Sequence, residues 1–240
     1  MKDPVSYEIN NKAPEEKKRF IQNLFDSIVP TYDLLNHVLS AGIDTLWRKN
    51  IFRLIDPVKG KPVIDLCCGT GDLSRLLDKN EARLFSLDFS MNMLRRGIEK
   101  NALCGDSVAA DASRIPFSDN TFHTATIAFG IRNIPDLDNF IREVHRVIIP
   151  GGQFVILELV RPANKIISSL YSMYLGKILP FIGGMISGER IAYKYLSGTI
   201  ATFIDPLDLE VMLEKYGFVS TTHHLQTFGV ASIIICRRMK

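Results

Sequence analysis

Val63-Ile64-Asp65-Leu66-Cys67-Cys68-Gly69-Thr70-Gly71-Asp72 is the stretch whose reading decides the fold. An apolar run suited to a buried strand meets a turn built on Gly69 and Gly71, and a helical pattern follows from Asp72 to Lys79. Outward from it, strand and helix patterns alternate, which predicts a parallel sheet with crossover helices. The strands are expected at residues 62–66, 83–88, 107–110, 122–129 and 153–158, with helices at 72–79, 92–101 and 138–147. A further helix is expected at 206–216, and two terminal strands, 219–224 and 230–237, lie close enough in sequence to pair antiparallel.

The chain has 240 residues, 46% of them hydrophobic and 23% charged, with a formal net charge of +3. That length is enough for one large α/β domain with helical additions and rules out a disordered chain. A surplus of three positive charges, unclustered in sequence, argues against a nucleic-acid partner. The four cysteines, Cys67, Cys68, Cys104 and Cys236, show no CxxC pair and no disulfide spacing, and the first twenty residues lack the apolar core of a signal peptide. A cytoplasmic protein is expected. Residues 1–57 read as an N-terminal helical cap, with Pro14 near a helix start and Pro30 as a stop. Residues 58–240 form the main domain, carrying an apolar insertion at about 162–204. Within the insertion, Lys177 is the only charge from Ile166 to Gly188, but Gly176, Pro180, Gly183 and Gly184 suggest two short helices and a turn rather than a membrane span.

In a doubly wound sheet, ligands sit beyond the carboxyl ends of the strands, where a glycine turn lets backbone approach them. The Gly69–Gly71 turn is therefore expected to hold a nucleotide-like ligand. A dinucleotide fingerprint needs a third glycine where this chain has Ser74, and the carboxylate of Asp65 would repel a pyrophosphate. S-adenosylmethionine carries an ammonium and a sulfonium and no phosphate, so it fits better. Asp88 closes the second strand and is placed to accept both ribose hydroxyls; Asp111 closes the third and could accept from an adenine amino group. Met91 is a candidate to pack on the adenine. Each acid alone would read as a helix cap or turn former, but three at successive strand ends make a pattern.

Through Asp65-Leu66-Cys67-Cys68-Gly69-Thr70-Gly71, Asp88 and Asp111, the sequence resembles the class I S-adenosylmethionine-dependent methyltransferases. Tyr32-Asp33-Leu34-Leu35-Asn36, Leu46-Trp47-Arg48, Phe129-Gly130-Ile131-Arg132-Asn133 and Pro150-Gly151-Gly152 narrow the resemblance to the C-methyltransferases of menaquinone and ubiquinone biosynthesis. Leu179-Pro180-Phe181 and Tyr193-Lys194-Tyr195-Leu196 extend it into the insertion. The resemblance implies a mostly parallel seven-stranded Rossmann-like sheet with an antiparallel last strand, and cofactor contacts at Thr70, Asp88, Asp111 and Ala112. It further implies C-methylation of a demethylquinol, preferably demethylmenaquinol. Two positions depart from the family pattern: Asp44 stands where a histidine is usual, and Ile234 replaces a late histidine.

For such a substrate the nucleophile is a ring carbon activated by an ionised hydroxyl, so the protein must accept that proton or stabilise the anion. Arg132, directly after the fourth strand, is the first candidate for stabilisation, Asn133 for hydrogen bonding to a ring oxygen, and Tyr32 with Asp33 for a lid. His37 is a candidate base. No metal ligand set is evident. A polyprenyl tail gains about 0.8 kcal/mol per buried methylene, which gives the apolar insertion a use as a channel or as a peripheral contact with a bilayer. A dimer interface is the plainer reading of the same segment. The remaining alternatives are a different small-molecule acceptor and a cofactor-binding module without catalysis.

Overall fold

The computed structural model of the protein describes residues 14–187, 195–200 and 203–240. Three helices come first: α1 (Pro14–Ile28), α2 (Tyr32–Leu39) and α3 (Ile43–Ile51). Pro14 suits the first position of α1 because its missing N–H is unpaired there anyway, and Glu15 and Glu16 complement the helix dipole.

The strands and crossovers then alternate as β1 (Pro62–Leu66), α4 (Asp72–Lys79), β2 (Arg83–Asp88), α5 (Met91–Glu99), β3 (Asp106–Ala109), β4 (Phe122–Ala128), α6 (Leu137–Val147) and β5 (Ile148–Leu159). After the insertion come α8 (Pro206–Lys215), β6 (Phe218–Gln226) and β7 (Ala231–Arg238), α7 being the long helix described below. The seven strands lie in the order β3-β2-β1-β4-β5-β7-β6, parallel except for β7, which runs antiparallel to both neighbours. The expected strands all form. β5 starts five residues early because a register shift opposite Phe122 and Thr124 lets Ile148 pair before the main ladder begins at Gln153.

Each face of the sheet is covered. Phe140, Val144, Leu209 and Leu213 bury against Phe154 and Phe218 on one side. On the other, Trp47 and Ile51 of α3 share a core with Leu73 and Leu77 of α4 and with Val63, Val155 and Ile233 of the sheet. The N-terminal helices are therefore joined to the main core through α3. Ile234, the position of the missing late histidine, is buried packing in the first of these cores.

The insertion corrects the expectation of two short helices and a turn. α7 is one helix made of Lys165–Met173, a π-helical segment Tyr174–Ile178 and Leu179–Ser187. Pro180 cannot donate to the preceding turn, and the wide segment before it absorbs that loss without stopping the helix. Its Leu175 and Leu179 pack with Ile21, Leu24 and Ile28 of α1, forming a third core. The part of the predicted insertion at 188–194 and 201–202 lies outside the described residues.

Candidate active site

The strand order reverses between β1 and β4, and a cavity of about 540 Å³ opens at their carboxyl ends. Cys67 (φ 52°) and Phe129 (φ 59°), just past β1 and β4, both turn the chain sharply through the left-handed region at the mouth of this cavity. Gly71 (φ 88°) has no alternative, since a Cβ there would lie 2.6 Å from Leu103 Cδ2. The cavity wall includes Gly69, Asp88, Asp111, Ala112 and Asn133, together with Lys18, Phe25 and Tyr32 from the cap.

Asp88 is 4% exposed, and its two oxygens accept from the backbone N–H groups of Gly69 and Ser90, each at 2.8 Å. Burial nevertheless pushes its carboxyl up to about 6, so it has acceptor capacity that further donors would stabilise. Asp111 accepts from Lys18 Nζ at 2.7 Å and from the Ser113 N–H at 2.9 Å, and these hold its carboxyl below the usual range against the opposing effect of burial. A roomy cavity with two carboxylates at successive strand ends and a glycine turn as its floor fits a phosphate-free nucleoside cofactor.

Several expected contacts are arranged differently. Asp65 is fully buried off this wall, with its oxygens accepting from Ser74 Oγ at 2.6 Å and Thr126 Oγ1 at 2.8 Å, and burial raises its carboxyl to about 6. Ser74 thus stands where a third glycine would because its hydroxyl holds Asp65. Thr70 and Asp65 face a small polar cleft behind Tyr32. There Thr70 Oγ1 donates to Asp33 and accepts from Lys100 Nζ at 2.9 Å, and Lys100 also bonds Asp33 at 2.6 Å and Asp72 at 2.9 Å. Gly71 packs on Leu103 and is absent from the large cavity's wall. Met91 is a correction: as the first residue of α5 it is 48% exposed, while Met93, two residues on, turns inward and lines the cavity.

A second cavity of about 250 Å³, lined chiefly by apolar side chains, lies between the cap, α7 and residues 195–200. Phe25, Tyr32, Phe129 and Asn133 line both cavities, so the two meet at this wall. Arg132 lines the second. Its guanidinium is buried and bonded to the fully buried Glu158, while its Nε has no hydrogen-bond partner among the described residues. Burial raises the Glu158 carboxyl, and Arg132 opposes that shift. Asn133 Oδ1 accepts from the Tyr195 hydroxyl at 3.1 Å.

The family model for the ubiE/COQ5 methyltransferase family matches residues 11–238. The chain belongs to the ubiE/COQ5 methyltransferase family. It is 41% identical to the demethylmenaquinone methyltransferase of Thermotoga maritima, over 91% of this chain and 96% of that one. It is 38% identical to a ubiquinone/menaquinone biosynthesis C-methyltransferase of Geobacter sulfurreducens, over 91% and 88%. Among solved structures, an S-adenosylmethionine-dependent methyltransferase of Thermotoga maritima superposes with a TM-score of 0.67 at 14% identity, covering 90% of this chain and 99% of that one, which shows the shared fold.

For this ubiE/COQ5 chain, the departure at Asp44 has a local counterpart. Asp44 accepts from Ser40 Oγ at 2.6 Å and is bonded to Arg48, and His37 Nδ1 lies 3.2 Å away, so an imidazole is present beside the position where the family usually places one. His37, Asp44 and Asp72 come within 4.8 Å of one another, but Arg48 holds Asp44 and reaches Asp72 at 3.8 Å, which makes the group an ion-pair network. Sequence reasoning missed Glu158, Tyr195, Lys18 and Lys100. Tyr195 lies inside a family segment and Glu158 ends the strand expected at 153–158, both usable signals, whereas nothing in the sequence links Lys18 to Asp111, 93 residues away.

Proposed function

We propose that the chain uses S-adenosylmethionine to C-methylate a demethylquinol, with demethylmenaquinol as the preferred substrate. The observation that carries this reading is the shared wall: a mixed cavity with acidic groups at the strand ends and a more apolar one against α7 meet at Tyr32, Phe129 and Asn133. One suits a nucleoside, the other an aromatic ring with a lipid tail. Asp88 would hold the ribose, Asp111 and Ala112 the base, and Gly69 and Met93 the body of the cofactor. When bound, S-adenosylmethionine supplies an electrophilic methyl group on a sulfonium.

Replacing a ring hydrogen by methyl releases one proton overall, and the ring oxygen must first carry negative charge. Arg132 answers that need. Glu158 fixes its guanidinium from behind, which holds the positive charge at the wall of the apolar cavity. Arg is too basic to take the proton, so its role is to hold the anion while the one proton released per methyl transferred passes to water. Asn133 adds a second donor. Tyr32, wedged between the cavities and packed edge-on against Phe25, closes the wall against water; holding the ring carbon in line behind the methyl group can supply about 7–11 kcal/mol of the barrier. Of the expected cap at residues 1–57, the part from Pro14 onward acts as a cover over both cavities, a reading supported by the bonds of Lys18 to Asp111 and of Ser90 to Asp26.

The substrate's tail also explains the outer surface of α7. Ile166, Leu170, Met173, Phe181 and Met185 are exposed, with Ile166 at 73% and Met185 at 70%. Lys165 and Lys177 are the helix's only charges. By length and composition Lys165–Met185 could cross a membrane, at a mean hydropathy of 1.3, yet its inner side is pinned to α1. A helix held on one face and greasy on the other suits lying on an anionic bilayer, which supports a peripheral contact of the enzyme with the inner face of the membrane.

Incubation with methyl-labelled cofactor and demethylmenaquinol tests the reading. Label is expected in the lipid fraction, and its absence there would reject this substrate. A parallel incubation with the ubiquinone-pathway ring shows whether that ring is also accepted. Met173→Glu with Phe181→Glu is expected to abolish sedimentation with anionic vesicles while leaving turnover of a short-tailed quinol within about twofold; unchanged sedimentation would reject the membrane contact.

A further inference from the structure

The apolar cavity holds a tyrosine to which neither the motif nor the reaction so far gives a role. Tyr195 is 3% exposed, at the start of helical residues 195–200, and its ring packs edge-on against Phe20 of α1 with centroids 6.1 Å apart. Its hydroxyl donates to Asn133 Oδ1 at 3.1 Å. Burial raises its ionisation to about 12, with nearby Arg132 as the charge opposing that shift, so the hydroxyl stays protonated at any working pH.

An asparagine amide offers an acceptor on one side and two donors on the other, and which side faces a ligand depends on what fixes the carbonyl. At the wall between the cavities, the difference is chemically decisive. An acceptor pointing at the ring oxygen would favour the protonated hydroxyl, whereas a donor favours the anion. We propose that Tyr195 is a positioning residue: by holding the Asn133 carbonyl, it turns the amide Nδ2 toward the ring oxygen on which negative charge develops. This inference rests on the quinol reading above. It makes the segment that covers the lipid tail also set the polarity of the catalytic wall, so that a properly seated tail region and a competent site arise together.

Tyr195→Phe keeps the ring on Phe20 and removes only the donor. The expected result is a loss in kcat of about ten- to a hundredfold, below the 10²- to 10³-fold typical of deleting a donor that touches the anion itself. Affinity for S-adenosylhomocysteine should be unchanged, which also verifies the fold. The pH-rate profile should move: the apparent pKa for activation should rise by about one to two units, because the bound hydroxyl loses the donor that favours its ionised form. A double-mutant cycle is the decisive measurement. If Tyr195 acts through Asn133, Tyr195→Phe in an Asn133→Ala background should cost less than about twofold more. Losses that multiply, or a pH profile that stays in place, would overturn the positioning role while leaving the methyltransferase reading intact. No turnover of demethylquinol by the unaltered chain would remove that reading and this inference together.

Discussion

The two cavities meet at one wall but are built by opposite means. The larger is floored by consecutive strand ends, so its acids sit a fixed number of residues apart and its shape comes from sheet topology. The smaller is assembled from α1, α2, α3, α7, Phe129–Asn133 and residues 195–200, with the β6–β7 turn contributing Thr227. No strand order dictates that gathering. It depends on side-chain packing across elements far apart in sequence, such as Trp47 Nε1 donating to Thr227 Oγ1 at 2.8 Å across 180 residues. A scaffold of this kind can keep its cofactor end constant while the acceptor end is rebuilt.

If the division is real, damage at one end should leave the other nearly untouched. Arg132→Ala is the largest expected effect. Turnover should fall by about a thousandfold, at the upper end for loss of an anion-stabilising donor, while affinity for S-adenosylhomocysteine measured by calorimetry stays within about threefold. The variant also strands Glu158 as an unpaired buried acid, so thermal stability should drop by about 3–5 kcal/mol. An equal collapse of cofactor affinity would mean that the cavities are not separable.

The buried acid of β1, behind the larger cavity, carries a different liability. Asp65 titrates at about 6 in the folded chain against 3.8 unfolded. A folded pKa raised in this way contributes stability in full below 3.8, and that contribution is lost as pH rises through about 6. The difference of about two units corresponds to roughly 3 kcal/mol against folding at neutral pH. Asp65→Asn cannot ionise, so its melting temperature relative to the parent should improve by several degrees between pH 5 and pH 7.5. A difference independent of pH would show that Asp65 is not buried as described.

These contrasts also explain what the sequence made legible. Asp88 was readable because it ends β2 and Asp111 because it lies two residues past β3, and alternation fixes about where strands end. Asp65 was assigned to the ligand by the same rule, but a strand's last residues alternate in direction, and its side chain turns into the layer occupied by Ser74 and Thr126. The ordering of Arg132 and Asn133 after β4 followed from local sequence. Their partners did not, because Glu158 and Tyr195 reach them only through tertiary packing. α7 misled for a related reason. Pro180 and the paired glycines signal a break in isolation, and burial against α1 overrides that local preference.

Asp88 should show a smaller, sharper effect on the cofactor alone. In its proposed role the carboxylate would accept from both ribose hydroxyls; protonated, it would lose part of that capacity. Cofactor affinity should therefore decline as pH falls through about 6, by up to tenfold per unit. Asp88→Asn should weaken binding by about thirtyfold at pH 7.5, the ~2 kcal/mol of a charge-assisted hydrogen bond, and abolish the pH dependence. The KM for the quinol should hardly move.

The finest test separates two methionines on one helix turn. Met91 begins α5 facing solvent, and Ser90, whose hydroxyl accepts from the Met93 N–H at 3.1 Å, fixes the register that carries Met93 into the cavity. Met91→Ala should leave cofactor affinity within about twofold, the scale of an ordinary surface change. Met93→Ala should weaken it severalfold, beyond its cost to core packing, because the thioether forms part of the wall. Were the two effects reversed, α5 would have to be rotated by roughly half a turn on the sheet, since residues two apart on a helix point about 200° from each other. The Ser90 cap could not then bond Met93, and Asp88, which Ser90 donates to, would lose its place at the cavity edge as well.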